Sequence, residues 1–149
     1  MKELAVVDST CLIVLAQTNR LALLTALFDP VLIPPAVRRE VPVSPPWIAI
    51  ESPRDAFLVS SLKMLVGDGE AEAIALACEK GCRIVLDDAK ARTVAKRMNL
   101  KIIGTAGILV RAKLDGIVQS VTPILEDLER NNFYLSADLK KEVLRLCGE

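Results

Sequence analysis

Carboxylates dominate the chemistry this sequence could perform. Asp8 directly follows the short apolar run Leu4-Ala5-Val6-Val7, and Asp88 stands just after Arg83-Ile84-Val85-Leu86, with Asp87 beside it. Glu40 lies in a stretch of helical character opened by Pro34-Pro35. Glu70 opens another at Gly69, with Glu72 two positions on. In an open parallel α/β sheet, sites form beyond the carboxyl ends of the strands. Asp8 and Asp88 belong on that edge, and Glu40 and Glu70 have short routes to it. Like charges gathered in one place repel, and a divalent cation with oxygen ligands relieves that repulsion. A metal held this way can activate water and stabilise charge on a phosphodiester.

Each residue also has a plainer role open to it. Asp8 and Asp88 can cap the helices that follow them. Asp87 competes with Asp88, because only one of the pair is expected to point inward. Glu70 can favour the dipole of a helix first turn. Glu72 faces differently on the helix and is the weaker candidate. Glu40 can pair with Arg38 or Arg39 at the surface. Ser9 and Thr10 are further candidates, for a hydrogen bond to a phosphate or to a ligand, or simply for capping.

Other chemistries are excluded. The chain has no histidine, so Ser-His-Asp and Cys-His triads are absent. Its four cysteines, Cys11, Cys78, Cys82 and Cys147, form no Cys-x-x-Cys pair, which argues against zinc and for reduced thiols. Gly67-Asp68-Gly69 lacks the third glycine of a dinucleotide loop, and there is no P-loop. Gly104-x-x-Gly107 suits either an anion cradle or close strand–helix packing.

Net charge is zero, from 19 basic and 19 acidic residues, but the charges are not evenly spread. Residues 79–113 hold nine Lys/Arg against three acids. Within that block, Arg92 and Lys96 are four apart and share a helical face, with Arg97 next to it. They form either a phosphate track or a solvated surface. Aromatic residues make up only 3% of the chain, so stacking on many bases is not expected.

The elements that must position these residues follow from apolar spacing. Leu4–Val7, Val31–Ile33, Arg83–Leu86 and Lys101–Ile103 read as short buried strands. Trp47–Ile50 and Phe133–Leu135 are candidate edge strands. Asp29-Pro30 reads as a turn, and residues 42–53, with four prolines, as an extended loop. Helices are expected near 11–16, 20–28, 35–41, 55–66, 69–80, 89–98, 122–130 and 136–146, with another that Gly104–Gly107 leads into and that runs to Leu114, and with Asp68 capping the fifth and Gly81 ending it. Strands alternating with helices give a central parallel sheet of four to five strands, covered on both faces: a three-layer α/β/α sandwich. The 149 residues fit a single domain, hydrophobic residues reach 52%, and no apolar run is long enough to span a membrane. A cytoplasmic location is the expectation.

Taken in order, these segments resemble a PIN-like domain. Val6-Val7-Asp8-Ser9-Thr10 is similar to the family's opening, where an apolar strand ends in the first acidic residue. Pro34-Pro35-Ala36-Val37-Arg38-Arg39-Glu40-Val41 resembles the segment with the second. Gly69-Glu70-Ala71-Glu72-Ala73, followed by Ile84-Val85-Leu86-Asp87-Asp88 and Gly104-Thr105-Ala106-Gly107, resembles the third and fourth in one PIN-like subgroup. The resemblance spans nearly the whole chain. It implies a Mg²⁺- or Mn²⁺-dependent ribonuclease acting on single-stranded RNA, often a toxin paired with an antitoxin protein and commonly a homodimer. By position, it implies an acidic set of Asp8, Glu40, Glu70 and Asp88. Asp8, Glu70 and Asp88 would hold metal, and Arg92, Lys96 and Arg97 would bind RNA phosphates. Two positions depart from the common pattern: the third acid is Glu rather than Asp, and Leu86 stands where many members carry a hydroxyl. Two other readings stay open. One is a PIN-like module that binds RNA or a protein without catalysis. The other is a phosphoacceptor regulator, against which the lone Asp8 counts.

Overall fold

The computed structural model describes residues 2–149. Five strands form one all-parallel sheet: β1 (Glu3–Val7), β2 (Phe28–Ile33), β3 (Ile48–Ile50), β4 (Arg83–Val85) and β5 (Ile102–Ile103). Among the described residues nine helices connect and flank them: α1 (Ser9–Gln17), α2 (Ala22–Leu27), α3 (Pro35–Glu40), α4 (Ala56–Lys63), α5 (Asp68–Lys80), α6 (Ala89–Arg97), α7 (Thr105–Leu114), α8 (Thr122–Arg130) and α9 (Ala137–Leu146). The three-layer α/β/α arrangement follows from burial along β1. Ala5, Val6 and Val7 are all fully buried, although successive strand residues face opposite sides. Both faces of the sheet are therefore covered.

The strand order is β3-β2-β1-β4-β5. From β1 the chain steps outward through β2 to β3, returns past β1 to β4, and steps outward the other way to β5. The reversal lies between β1 and β4, and a sheet of this kind opens a crevice beyond the strand ends at that point. Asp8 directly follows β1, and Asp87-Asp88 follow β4.

Helix α5 is the central helix. Ala71 and Ala73 to Ala77 are all buried, as expected of a helix apolar nearly all round. It packs on β1 and β4 and carries α3 and α4 against its other sides. Gly81 closes it in the left-handed region (φ +60°), where its N–H reaches back to carbonyls of the last turn.

Three expectations need correction. Strand β2 begins at Phe28 and runs through Asp29-Pro30, which therefore do not form a turn between elements. The register against β1 slips between Glu3 and Ala5, and such an irregularity tolerates a proline with no N–H to donate. Phe133–Leu135 is not a strand; it is loop between α8 and α9. Asp68 is the first residue of α5 rather than its cap, and Gly67 occupies the cap position. Trp47–Ile50 does supply the edge strand, as β3. Among the described residues no helix is long and apolar enough to cross a membrane.

Candidate metal centre

Strand β1 delivers Asp8 into the crevice with its backbone fixed, because the Asp8 N–H donates to the Val85 carbonyl of β4 at 3.0 Å. Asp8 occupies the cap position of α1 yet makes no side-chain capping bond. The residue is 3% exposed, and its Oδ1 has no hydrogen-bond partner. A buried carboxylate oxygen left unpaired is costly, so its position calls for a reason. Burial pushes the Asp8 carboxyl up to about 7, the Ser9 N–H tempers the rise, and the negative charges of Glu70, Glu40 and Asp87 add to it.

Those neighbours converge from separate elements. Glu40, the last residue of α3, accepts a hydrogen bond from Ser9 Oγ at 2.9 Å on its Oε2. Its carboxylate lies so close to Gly69 that a Cβ there would collide with it. Glycine at the start of α5 thus makes room for the acid at the end of α3. Glu70 accepts from the Gly67 N–H at 3.1 Å, which holds its carboxylate back over the N-terminus of α5. Burial raises its pKa too, with Asp88 and Glu40 contributing. Asp88 caps α6 with one oxygen, Oδ2, which accepts from the Ala91 N–H at 2.9 Å.

Asp8, Ser9, Thr10, Glu40, Glu70 and Asp88 line one cavity of about 260 Å³. The sequence left two choices open, and the geometry separates them. Glu70 faces this cavity, whereas Glu72 accepts from the Ala36 N–H at 3.0 Å and so fixes the first turn of α3. Asp88 faces the cavity. Asp87 instead takes the Thr105 N–H at 2.9 Å and the Thr105 hydroxyl at 2.6 Å, tying β4 to the start of α7. Glu40 is not consumed by a surface pair: Arg38 donates to the Val41 carbonyl and Arg39 approaches Glu72. Asp68 also lines the cavity, and sequence reasoning gave it only a capping role. Its one signal was a carboxylate between two glycines at a helix start. Buried Thr105, the partner of Asp87, was missed as well, because a hydroxyl 18 residues away gives no local sign.

The residues fit a divalent cation by chemistry. They offer hard oxygen donors, an orphaned buried oxygen on Asp8, and raised carboxyl pKa values that a positive charge would reverse. The cavity is not a ready-made cage, however. Among the described residues no three His, Cys, Asp or Glu side chains converge closely enough to hold an ion as they stand. No Lys or Arg forms an ion pair with Asp8, Glu40, Glu70 or Asp88 among the described residues.

The basic stripe lies across the Asp87-Asp88 turn. Arg92 and Lys96 line a groove of about 850 Å³, and the Arg92 guanidinium donates to the Leu86 carbonyl at 3.0 Å. Arg97 is exposed and lines neither cavity nor groove. Gly107 explains itself by packing, since a Cβ there would press on Ile103 at 2.7 Å. That close strand–helix contact accounts for the second glycine of Gly104-x-x-Gly107 without an anion.

A comparison with curated proteins finds no match to this chain. The sequence model of one protein family, described as a PIN domain, does match, and it covers residues 4–149. With that coverage, and with an all-parallel five-stranded sheet that brings acids from four segments to its switch point, the chain belongs to the PIN domain family.

Proposed function

We propose that this protein is a Mg²⁺- or Mn²⁺-dependent endoribonuclease that cleaves single-stranded RNA. PIN domains are generally nucleases and typically use divalent metals. The observation that carries the reading is Asp8: a carboxylate buried at the switch point, with an unpaired oxygen, surrounded by the charges of other acids and paired with no Lys or Arg among the described residues. A carboxylate buried only for stability is ordinarily paired with a cation.

In this mechanism Asp8, Glu70 and Asp88 would hold the cation, which when bound would supply charge stabilisation for a phosphodiester and make water more acidic. Ser9 orients Glu40 through the 2.9 Å hydrogen bond, so that this carboxylate faces the cavity as the group that positions the attacking water and takes its proton. Arg92 and Lys96 hold phosphates on the far side of the Asp87-Asp88 turn. A homodimer, and an antitoxin partner if the protein serves as a toxin, belong to the same proposal. Light scattering of the purified protein tests the dimer directly.

The decisive experiment is Mn²⁺ calorimetry on the wild type, Asp8→Asn and Asp88→Asn, followed by an RNA cleavage assay with and without EDTA. Saturable binding lost in both variants, with EDTA-sensitive cleavage, is the expected result. A folded wild type that binds no Mn²⁺ would overturn the enzymatic reading in favour of a module that binds without cutting.

A further inference from the structure

The groove beyond the Asp87-Asp88 turn has a composition that the carboxylate cavity lacks. Its walls combine Arg92, Lys96, Ile103, Phe133, Tyr134 and Leu139. Tyr134 is the chain's only tyrosine and is 69% exposed, on the loop between α8 and α9. Phe133 beside it is half-buried and packed against the core, so the pair is anchored at one residue and open at the next. The single acid of the groove wall, Asp87, is occupied by both the N–H and the hydroxyl of Thr105. The available charge is therefore positive: Lys96 is exposed, and Arg92 spends one of its nitrogens on the Leu86 carbonyl.

Groove and cavity adjoin in sequence and in space, because consecutive residues line them: Asp87 the groove and Asp88 the cavity. A polymer with one phosphate at the carboxylates has the groove as adjoining surface. We infer that this groove is a nucleotide subsite for single-stranded RNA, in which Tyr134 stacks on one base and Lys96 binds the adjoining phosphate. The inference rests on the ribonuclease reading for its polarity, but its own evidence is the groove. An exposed ring on an anchored loop, lining the same groove as Arg92 and Lys96, matches how single strands are held: stacking on the ring and charge along the backbone. One ring gives room for one stacked base, so the subsite prefers bases that stack strongly and reads no sequence beyond that.

The test measures binding rather than cleavage. Fluorescein-labelled oligoadenylate and oligouridylate are titrated with the full chain in EDTA, followed by anisotropy. Tyr134→Ala is expected to weaken oligoadenylate binding about tenfold and to erase its advantage over oligouridylate, with Tyr134→Phe close to wild type. Lys96→Ala is expected to lower the slope of log affinity against log salt by about 0.7, the value for one phosphate contact on a single strand. Tyr134 and Lys96 are exposed, so circular dichroism should stay unchanged. Mn²⁺ calorimetry on the same variants keeps the two readings apart. Unaltered Mn²⁺ binding with lost base preference supports the subsite. Unaltered Mn²⁺ binding with unaltered oligonucleotide affinity in Tyr134→Ala overturns it and leaves the metal centre standing. Oligonucleotide binding that depends on Tyr134 in a protein that binds no Mn²⁺ supports the subsite and removes the nuclease. A wild type that binds neither oligonucleotide overturns it, and the groove then belongs to another occupant, such as a peptide laid along the β5 edge.

Discussion

Glu3 and Asp8 sit at opposite ends of β1, five residues apart, and the molecule surrounds them differently. Glu3 accepts from Arg83 at 2.5 Å and from Arg111 at 3.1 Å. Burial opposes its charge, but the two guanidinium groups outweigh it and hold its pKa below the ordinary value. Asp8 is more deeply buried, feels the negative charges of Glu70, Glu40 and Asp87, and among the described residues has no guanidinium within ion-pair reach. One strand thus carries a carboxylate neutralised from within and a carboxylate left for something from outside. A fold that readily brings two arginines to one end of a strand could have brought one to the other. On the proposed reading, the lack of a paired cation at Asp8 among the described residues marks the end that works rather than the end that holds the fold together.

The largest way to break this comparison is Asp8→Asn. The variant keeps size and removes charge, so saturable Mn²⁺ binding should disappear in calorimetry while the apoprotein stays folded. Retained Mn²⁺ affinity would mean that Asp8 is not a ligand.

The second effect is on stability against pH, in EDTA. The Asp8 carboxyl titrates near 7 folded and near 3.8 unfolded, so between those values the folded state binds the extra proton. Its contribution is fully present below the unfolded value and is lost as pH rises through 7. Each tenfold difference in proton affinity is worth about 1.4 kcal/mol, so the apoprotein should lose a few kcal/mol relative to Asp8→Asn across that window. Urea unfolding of both proteins at acid and slightly alkaline pH measures it, and parallel profiles would contradict the burial argument. Glu3 tilts the profile the opposite way: its contribution is present above the unfolded value of 4.5 and is lost as pH falls through its lower folded value.

A smaller effect separates neighbours on α5. Glu70→Gln should weaken Mn²⁺ binding by roughly tenfold or more, while Glu72→Ala should leave it unchanged and cost about 1 kcal/mol through the lost bond to the Ala36 N–H. Reversed results would exchange the two roles. Gly69→Ala should shift Glu40 and lower RNA cleavage without unfolding the chain, since the added Cβ meets a side-chain end rather than backbone. Unchanged cleavage would remove Glu40 from the centre. Smallest of all, Glu3→Gln should cost less than about 1 kcal/mol, because its pairs are partly solvated, and should not affect Mn²⁺.

Much of this architecture was legible in the chain because local pattern and tertiary environment agree. The run Leu4–Val7, buried on both faces, has no alternation to obscure it, and a carboxylate directly after such a run falls at the strand end by chain geometry alone. Gly81, Pro35 and Ser136 punctuate helices by local backbone chemistry. The failures are equally physical. Asp29-Pro30 reads as a turn by its residue types, yet pairing with β1 accommodates it at a slip in register. Phe133–Leu135 has strand-like residues but no strand to pair with, and it lines the groove instead.

By itself, the sequence determined the order of elements, the parallel sheet, the absence of histidine chemistry, and a shortlist of acids at the ends of strands and the starts of helices. Those properties depend on neighbours a few residues away. Only the tertiary structure decided which acids share a space. Glu70 faces the cavity while Glu72 fixes α3, and Asp88 faces it while Asp87 is held by Thr105. Adjacent carboxylates have the same local pattern, and what distinguishes them is a partner from a distant part of the chain: an N–H at Ala36, a hydroxyl at Thr105, or, for the Asp8 Oδ1, none.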